Sequence, residues 1–317
     1  FSITVGGVAY DFNKDSAFTY ESGKLSQFTI TVNRKAATGE YEFVLTDTQI
    51  VDWKEDINTH EGEARQYYCV HVDEPGTLGD LIKADGKNPD KIRNLKVSGK
   101  ISDEDFYFMR DNMAILEAVN LKESKVVDVY VQGHAVYGYK DHAGNRSIFA
   151  EREEGTYDDI IPDKAFINKN SLNYFVFPEK ITDIGLDAFR NTSLNGALVI
   201  PDDVKAIWGG AFAEVNISSV SFPDKTEIID VESFGACSSL TGFLYLPSSV
   251  RYIGGGAFSG CAFTGNLVLP NSLEYIGGGI GGGAFQDAGQ FTGGLRIPDN
   301  ITVLEEFTFA CTKTGNH

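Results

Sequence analysis

The sequence predicts a mainly β, α+β repeat protein. A right-handed solenoid with a helical N-terminal cap is expected over residues 67–317, preceded by a small antiparallel β-domain over residues 1–62. The first observation is a phrase, apolar-x-apolar-Pro, that returns every 22 to 28 residues at Pro178, Pro201, Pro223, Pro247, Pro270 and Pro298. The second is its echo: a phenylalanine follows 11 residues later at Phe189, Phe212, Phe234, Phe258 and Phe309, while Phe285 follows Pro270 by 15. The third is a strand–helix–strand rhythm of similar period just upstream. A period in the twenties marks units that cannot bury an apolar face alone and must stack on one another.

The N-terminal segment has a different texture. Ile3, Val5, Val8 and Tyr10 form an apolar stretch; Phe28, Ile30 and Val32 then alternate with polar residues, as do Tyr41, Phe43 and Leu45. Alternation at period two around Thr38-Gly39 predicts an antiparallel hairpin with one buried face, under which Trp53 packs. Residues 56–65 are charged and aperiodic, so they read as a linker.

The cap region, 67–130, opens with a helix over Gly76–Ile82 that places Leu78, Leu81 and Ile82 on one face. Leu95-Lys-Val97 and Val119-Asn-Leu121 read as strands, and Ser102 with the acidic residues after it starts a second helix between them. Such units hide the apolar side chains and the strand edge that a first coil would expose. Residues 131–160 break the rhythm with a polar insertion carrying Tyr137, Tyr139, His142 and Tyr157. Regular repeats fill 161–317, resuming with Ile161-Pro162 and Ala165-Phe166.

Within a repeat, the apolar pair of the type Leu267-Val-Leu269 predicts one short strand per coil, closed by a proline that has no N–H for a ladder. A second apolar pair follows, as in Val204 and Ile207 or Val250 and Ile253. The Ala-Phe step then drives a ring into the coil, and stacking makes a ladder of rings. Cys237, Cys261 and Cys311 follow repeat phenylalanines at nearly one phase, so buried free thiols are expected rather than disulfides.

Composition bounds function. With 27 basic and 45 acidic residues the net charge is -18, a field that repels nucleic acid, and no basic stripe relieves it. No apolar run reaches the roughly 18 residues that a membrane span needs. The abrupt ends read as those of a segment of a longer protein.

The phrase Leu244-Tyr-Leu-Pro-Ser-Ser-Val-Arg-Tyr-Ile-Gly-Gly-Gly-Ala-Phe-Ser-Gly-Cys261 resembles the BspA-type leucine-rich repeat. The resemblance covers about 160–317 and, more faintly, 67–130. It implies a right-handed leucine-rich-repeat solenoid on a surface or secreted protein of Bacteroides-group bacteria or parasitic protists. The implied role is adhesion or coaggregation. Phe28-Thr-Ile-Thr-Val-Asn and Gln49-Ile-Val-Asp-Trp53 resemble the last strands of a fimbrillin-like β-domain, which would imply a lipoprotein anchored at the outer membrane.

Several motifs invite chemistry without supporting it. Gly277–Gly283 fits G-x-G-x-x-G by letter, but it duplicates the glycine turn of the neighbouring repeat instead of opening a helix after a long strand. Cys69 and His71 share a strand face but have no orienting third group or oxyanion donors. His134 and His142 lack metal spacing. The sequons at Asn145, Asn191, Asn216 and Asn300 read as turn asparagines. No catalytic residue, metal or cofactor is expected, and the chain should be a monomer. The expected function is a non-enzymatic cell-surface module that binds a protein or glycan on host or neighbouring cells. The alternatives are a structural spacer or fimbria-associated scaffold and, more remotely, an accessory domain for glycan processing or peptidase activity. Trp208 stands where other repeats have glycine, either filling a packing position or exposed as a binding residue. Tyr245, Tyr252, Tyr137 and Tyr139 complete the candidate recognition set.

Overall fold

The structure is a computed structural model of the 317-residue chain. It describes the backbone of residues 2–5, 8–11, 24–34, 41–52, 55–60, 63–140, 143–278, 282–291, 295–311 and 313–314, and side chains only from Tyr67 on. Two compact units result, Phe1–Gln66 and Tyr67–His317.

In the first unit, Ser2–Val5 pairs antiparallel with Val8–Asp11, and Lys24–Arg34 pairs antiparallel with Tyr41–Asp52 in a register running from Lys24↔Asp52 to Arg34↔Tyr41. The expected hairpin is therefore present and longer than its alternating core. The expected buried face and the expected packing of Trp53 lie outside the described residues. The expected linker is instead strand: Glu55–His60 and Glu63–Val72 are both extended. Its charged residues hid this, because aperiodic charge carries no signal of pairing.

The second unit is a stack of parallel coils. Its first strands, from Tyr68–Val72 through Asn94–Ile101 and Ala118–Val126 to Tyr174–Val176, pair in parallel, so the cap region and the repeats share one sheet. Helices Leu78–Ala84 and Asp103–Asn112 lie in the cap. Asp105 ties them together. Its buried carboxylate accepts from the backbone N–H of Ser102 (2.9 Å), Gly76 (2.7 Å) and Leu78 (3.0 Å), capping one helix and anchoring the entry to the other. Leu78 and Ile82 are buried as expected, whereas Leu81 faces solvent.

From residue 160 a six-stranded parallel ladder forms from dipeptides: Ile160–Ile161, Asp183–Ile184, Ala206–Ile207, Ile228–Ile229, Tyr252–Ile253 and Tyr275–Ile276. A ladder strand thus sits at the second apolar pair, while the expected strand at the first pair is present in Tyr174–Val176, Asn195–Val199 and Asn216–Ser221. Leu267-Val-Leu269 is not a strand; the paired residues there are Ala262–Gly265, just upstream. Each coil carries two ladder segments rather than one. Where a glycine follows the ladder isoleucine, the neighbouring coil comes close: a Cβ on Gly185 would sit 2.7 Å from the Ile161 carbonyl oxygen.

The Ala-Phe corner makes a third line of contacts. The N–H of Phe189 donates to the Ala211 carbonyl (2.7 Å), Phe212 to Ser233 (2.8 Å) and Phe234 to Ala257 (2.8 Å). The rings of Phe166, Phe189, Phe212, Phe234, Phe258, Phe285 and Phe309 stack at centroid spacings of 5.2 to 5.7 Å. This ladder is the core of the solenoid. Asn191, two residues past its phenylalanine, has φ 54°, the left-handed turn that asparagine tolerates. Cys311 holds the same turn at φ 57° and is exposed, correcting its expected burial. Cys237 and Cys261 sit one residue further along their coils. They are buried free thiols, and burial pushes both up, Cys237 to about 12.

Candidate functional site

From Asp183–Ile184 on, the second residue of each ladder dipeptide points into the core and the first points out, so Asp183, Ala206, Ile228, Tyr252 and Tyr275 form the outer face of the ladder. The insertion lies over this face. His134–Lys140 and Arg146–Arg152 form an irregular antiparallel hairpin, footed by the pairing of Val129–Val131 with Gly155–Tyr157. Seven residues at about 3.3 Å span roughly 23 Å, close to the roughly 24 Å covered by six strands at about 4.8 Å. The hairpin runs along the stack and covers it nearly from end to end.

At its base, Arg152 pairs with Asp163 (2.8 Å) and lies over the Trp208 ring at 5.4 Å. His134 meets Trp208 edge-on at 5.5 Å, and its Nε2 is 2.7 Å from Asp230 Oδ2. In the middle, Phe149 packs on Tyr252 at 5.1 Å. Towards the tip, Tyr139 packs on Tyr275 at 4.6 Å, and its hydroxyl accepts from the Ile276 N–H at 3.1 Å. Arg146 donates to the Tyr275 hydroxyl (3.0 Å) and to Glu305 (2.5 Å). Val136, Ala206, Trp208, Tyr252 and Tyr275 make a second, smaller apolar core under the hairpin.

These placements separate the candidate aromatics. Trp208 is 3% exposed and Tyr252 5%, so both belong to packing beneath the hairpin and face no solvent. Tyr139 is half-buried against Tyr275. Tyr137 lies on the open side of the hairpin at 45% exposure, its carbonyl accepting from the Tyr252 hydroxyl at 3.4 Å. Tyr245 is on another side of the coils and is 61% exposed. It is the outward residue of Leu244-Tyr-Leu246, with Val268 in the same place one coil on and Phe243 two residues before it, all three exposed. Phe243 reaches across to the next coil, where a Cβ on Gly265 would touch its ring at 3.5 Å. The structure thus offers an exposed apolar patch of Phe243, Tyr245 and Val268, and a seam between hairpin and ladder.

Two openings mark the seam. A groove of about 750 Å³ runs from His134 and Asp230 to Arg146, Glu305 and Phe307, floored by Tyr252 and Tyr275. A smaller pocket of about 360 Å³ lies at the base, against Arg152, Asp183 and Trp208. Burial raises the Tyr252 hydroxyl well above its usual value and pushes Tyr275 up to about 12, so both stay protonated donors at neutral pH. Burial also raises the Asp183 carboxyl, opposed by hydrogen bonds from Thr182 and Trp208. None of these groups is a nucleophile beside a base. The Cys69 thiol faces the Tyr67 carbonyl at 3.8 Å, while His71 bonds Ser98 at 2.9 Å and pairs with Asp73 at 3.3 Å. Asp159 pairs with Lys180 at 2.6 Å. His142 and residues 279–281 of the glycine-rich run lie outside the described residues.

Arg146, Arg152, Asp183, Asp230 and Glu305 were not singled out from the sequence. One signal for them existed. The residue after the ladder isoleucine is Pro162 in the first repeat, glycine at Gly185, Gly254 and Gly277, but Trp208 and Asp230 in two adjacent repeats, and these two are what His134 engages.

Comparison with known proteins comes to the same repeats. Residues 159–280 and 244–316 match the model of the BspA type leucine rich repeat region, in six copies. No curated protein matches the chain. A crystal structure of a leucine-rich repeat protein from Bacteroides ovatus ATCC 8483 aligns with 84% of this chain at 16% identity and a TM-score of 0.36. The alignment covers 61% of that protein's chain, so the present chain spans less than two thirds of its length.

Proposed function

Since the repeats over 159–280 and 244–316 belong to the BspA-type leucine-rich repeat family, we propose that the chain is a non-enzymatic binding module of a cell-surface or secreted protein. Repeats of this family are generally protein-binding or surface modules. Its partner is a protein or glycan on host or neighbouring cells, engaged through the solenoid surface. The observation that carries this reading is the clustering of Phe243, Tyr245 and Val268 on adjacent coils. A spacer needs no such cluster, whereas large exposed aromatics grouped on one side are what recognition surfaces use. The net charge of -18 favours a partner whose own surface is basic.

The second reading is a structural spacer or fimbria-associated scaffold. The continuous phenylalanine core, which stiffens the stack, favours it. Among the described residues no helix is long and apolar enough to cross a membrane.

Capture of partners from host matrix proteins and a glycan array with the full chain, repeated with Tyr245→Ala and Phe243→Ala, tests the first reading. A partner lost with either variant supports it. A partner retained by both puts recognition elsewhere, and no partner at all favours the scaffold.

A further inference from the structure

We propose that the outer edge of the strand segment His134–Tyr137 receives an extended, uncharged segment of a partner protein as an added β-strand, seated in the groove of about 750 Å³ beside it. The first reason is an edge without a neighbour. Among the described residues the hairpin sheet holds two strands, His134–Lys140 and Arg146–Arg152, so one side of each has no strand beside it. Successive strand residues point to opposite faces, so a groove against one face meets every second residue. This groove is lined by His134, Ala135, Val136 and Tyr137 in succession, and so runs along the edge. The Tyr137 carbonyl faces that way, since it accepts at 3.4 Å from the hydroxyl of Tyr252, which also lines the groove. By the alternation of an antiparallel pair, the N–H and C=O of Ala135 face the same way, and the Tyr137 oxygen keeps a second lone pair.

The second reason is that nothing in this edge turns a strand away. Ala135, Val136 and Tyr137 bring neither a charge nor a proline, two of the devices that protect free edges. The register slip at Val136/Tyr137 leaves Phe149 as the extra residue on the opposite strand, so the edge from His134 to Tyr137 stays regular. Lengths agree as well. The groove crosses successive coils at Asp230, Gly255, Gly278 and Glu305. Three spacings of about 4.8 Å make roughly 14 Å, and four strand residues at about 3.4 Å make the same.

The third reason fixes the chemistry of the occupant. The charged groups at the two ends are engaged with each other, His134 with Asp230 at 2.7 Å and Arg146 with Glu305 at 2.5 Å. A charged side chain entering between them finds those counter-charges taken, so the added segment is uncharged where it crosses. Open apolar surface meets it instead: Leu304 and Phe307 line the same groove and are 49% and 56% exposed. In strand addition the backbone bonds hold the guest and its alternate side chains select it. The groove shares no residue with the patch of Phe243, Tyr245 and Val268, so the two sites succeed or fail separately.

The probe is a library of acetylated, amidated heptapeptides that alternate Val, Ile, Leu or Phe with Thr or Ser, each carrying a dye on a glycine spacer. Titrated with the full chain, the tightest members should raise the anisotropy saturably, with Kd on the order of 0.1 mM. Hydrogen exchange should then slow at residues 134–137 and stay unchanged at 241–269. N-methylation of alternate peptide residues in the phase that faces the edge should weaken binding about tenfold or more, and in the other phase less than about threefold. Lys or Glu at the centre of the peptide should weaken binding about tenfold. Leu304→Asp, at an exposed position, should do the same without a change in melting temperature. The proposal is overturned if no member of the library saturates, if the two N-methyl phases act alike, or if the charged peptides and Leu304→Asp bind like their parents. It is also overturned if the chain dimerises with the same protection at 134–137, which would seat a second copy there. Protection at 241–269 instead would remove this site and leave the binding-module reading intact.

Discussion

Truncating Phe258 to alanine removes a ring from the middle of the stack. Phe258 is fully buried and lies 5.6 Å from Phe234 on one side and 5.4 Å from Phe285 on the other, with Phe263 edge-on at 5.8 Å. Transfer of the lost ring atoms back to water accounts for about 2–3 kcal/mol. The coils above and below are pinned by backbone hydrogen bonds such as Phe258 N–H to the Ala284 carbonyl, 2.8 Å, so the gap cannot close. A residual cavity of roughly 80 Å³ then adds about 2 kcal/mol. The expected loss is about 4–5 kcal/mol. Phe309 is the control. It stacks on Phe285 at 5.6 Å but is only partly buried, so Phe309→Ala should cost no more than about 1–2 kcal/mol. Urea titrations of the Trp53→Phe chain, followed by Trp208 emission, report the solenoid without the N-terminal unit. A loss below about 1 kcal/mol for Phe258→Ala, or equal losses at the two positions, would refute the ring ladder as the source of stability.

Three further outcomes follow from the same geometry. Asp105→Ala should destabilise the solenoid by roughly 3–5 kcal/mol in the same assay, because three backbone N–H groups lose their buried acceptor, while Asp105→Asn should cost less. Gly254→Ala should cost about 2–3 kcal/mol, since a Cβ there falls 2.7 Å from the Asp230 carbonyl carbon and 2.8 Å from Val231 Cα; Gly196→Ala, at φ 74° with open space around it, should cost only about 1 kcal/mol of backbone strain. The Asp183 carboxyl, raised by burial, binds its proton more tightly folded than unfolded. Stability should therefore fall as pH rises from the ordinary carboxylate range, about 3.9, through the raised folded value. Melting curves across that window should flatten in Asp183→Asn, and parallel profiles would refute the assignment.

The solenoid was legible because its causes are periodic. Each phenylalanine from Phe166 to Phe309 meets its own copies, so one repeat explains them all, and the burial of Ile184, Ile207, Ile229, Ile253 and Ile276 follows from spacing alone. The spacing placed the one strand of each coil on the first apolar pair, whereas the structure pairs the second as well. The close approach at Gly185, Gly254 and Gly277 was not legible, because it is a contact between repeats rather than a pattern within one. The charged strand Glu55–His60 was missed for a related reason: strand pairing by backbone bonds needs no apolar signature. Leu304 fits the pattern of Ile276 yet is exposed, since a terminal coil has a neighbour on only one side.

The site was illegible for the opposite reason, since it is made where the repeats stop repeating. A polar insertion carries no period, so nothing in residues 131–160 announces that they lie along the ladder. The information is in the surface that receives them. An outward ladder face in a bare solenoid has no need of large apolar groups, yet Ile228, Tyr252 and Tyr275 follow one another on adjacent coils, and the glycine column gives way to Trp208 and Asp230 at the same level. Each departure has its counterpart in the insertion: Asp230 and Trp208 for His134, Tyr252 for Phe149, Tyr275 for Tyr139. The repeats thus act as their own reference, in which a residue that the coil does not require is there for something outside the coil. Arg152 follows the same logic in reverse. It lies outside the regular repeats, its Nη2 is spent on Asp163 and the Gln132 carbonyl, and its buried Nε and Nη1 have no partner among the described residues.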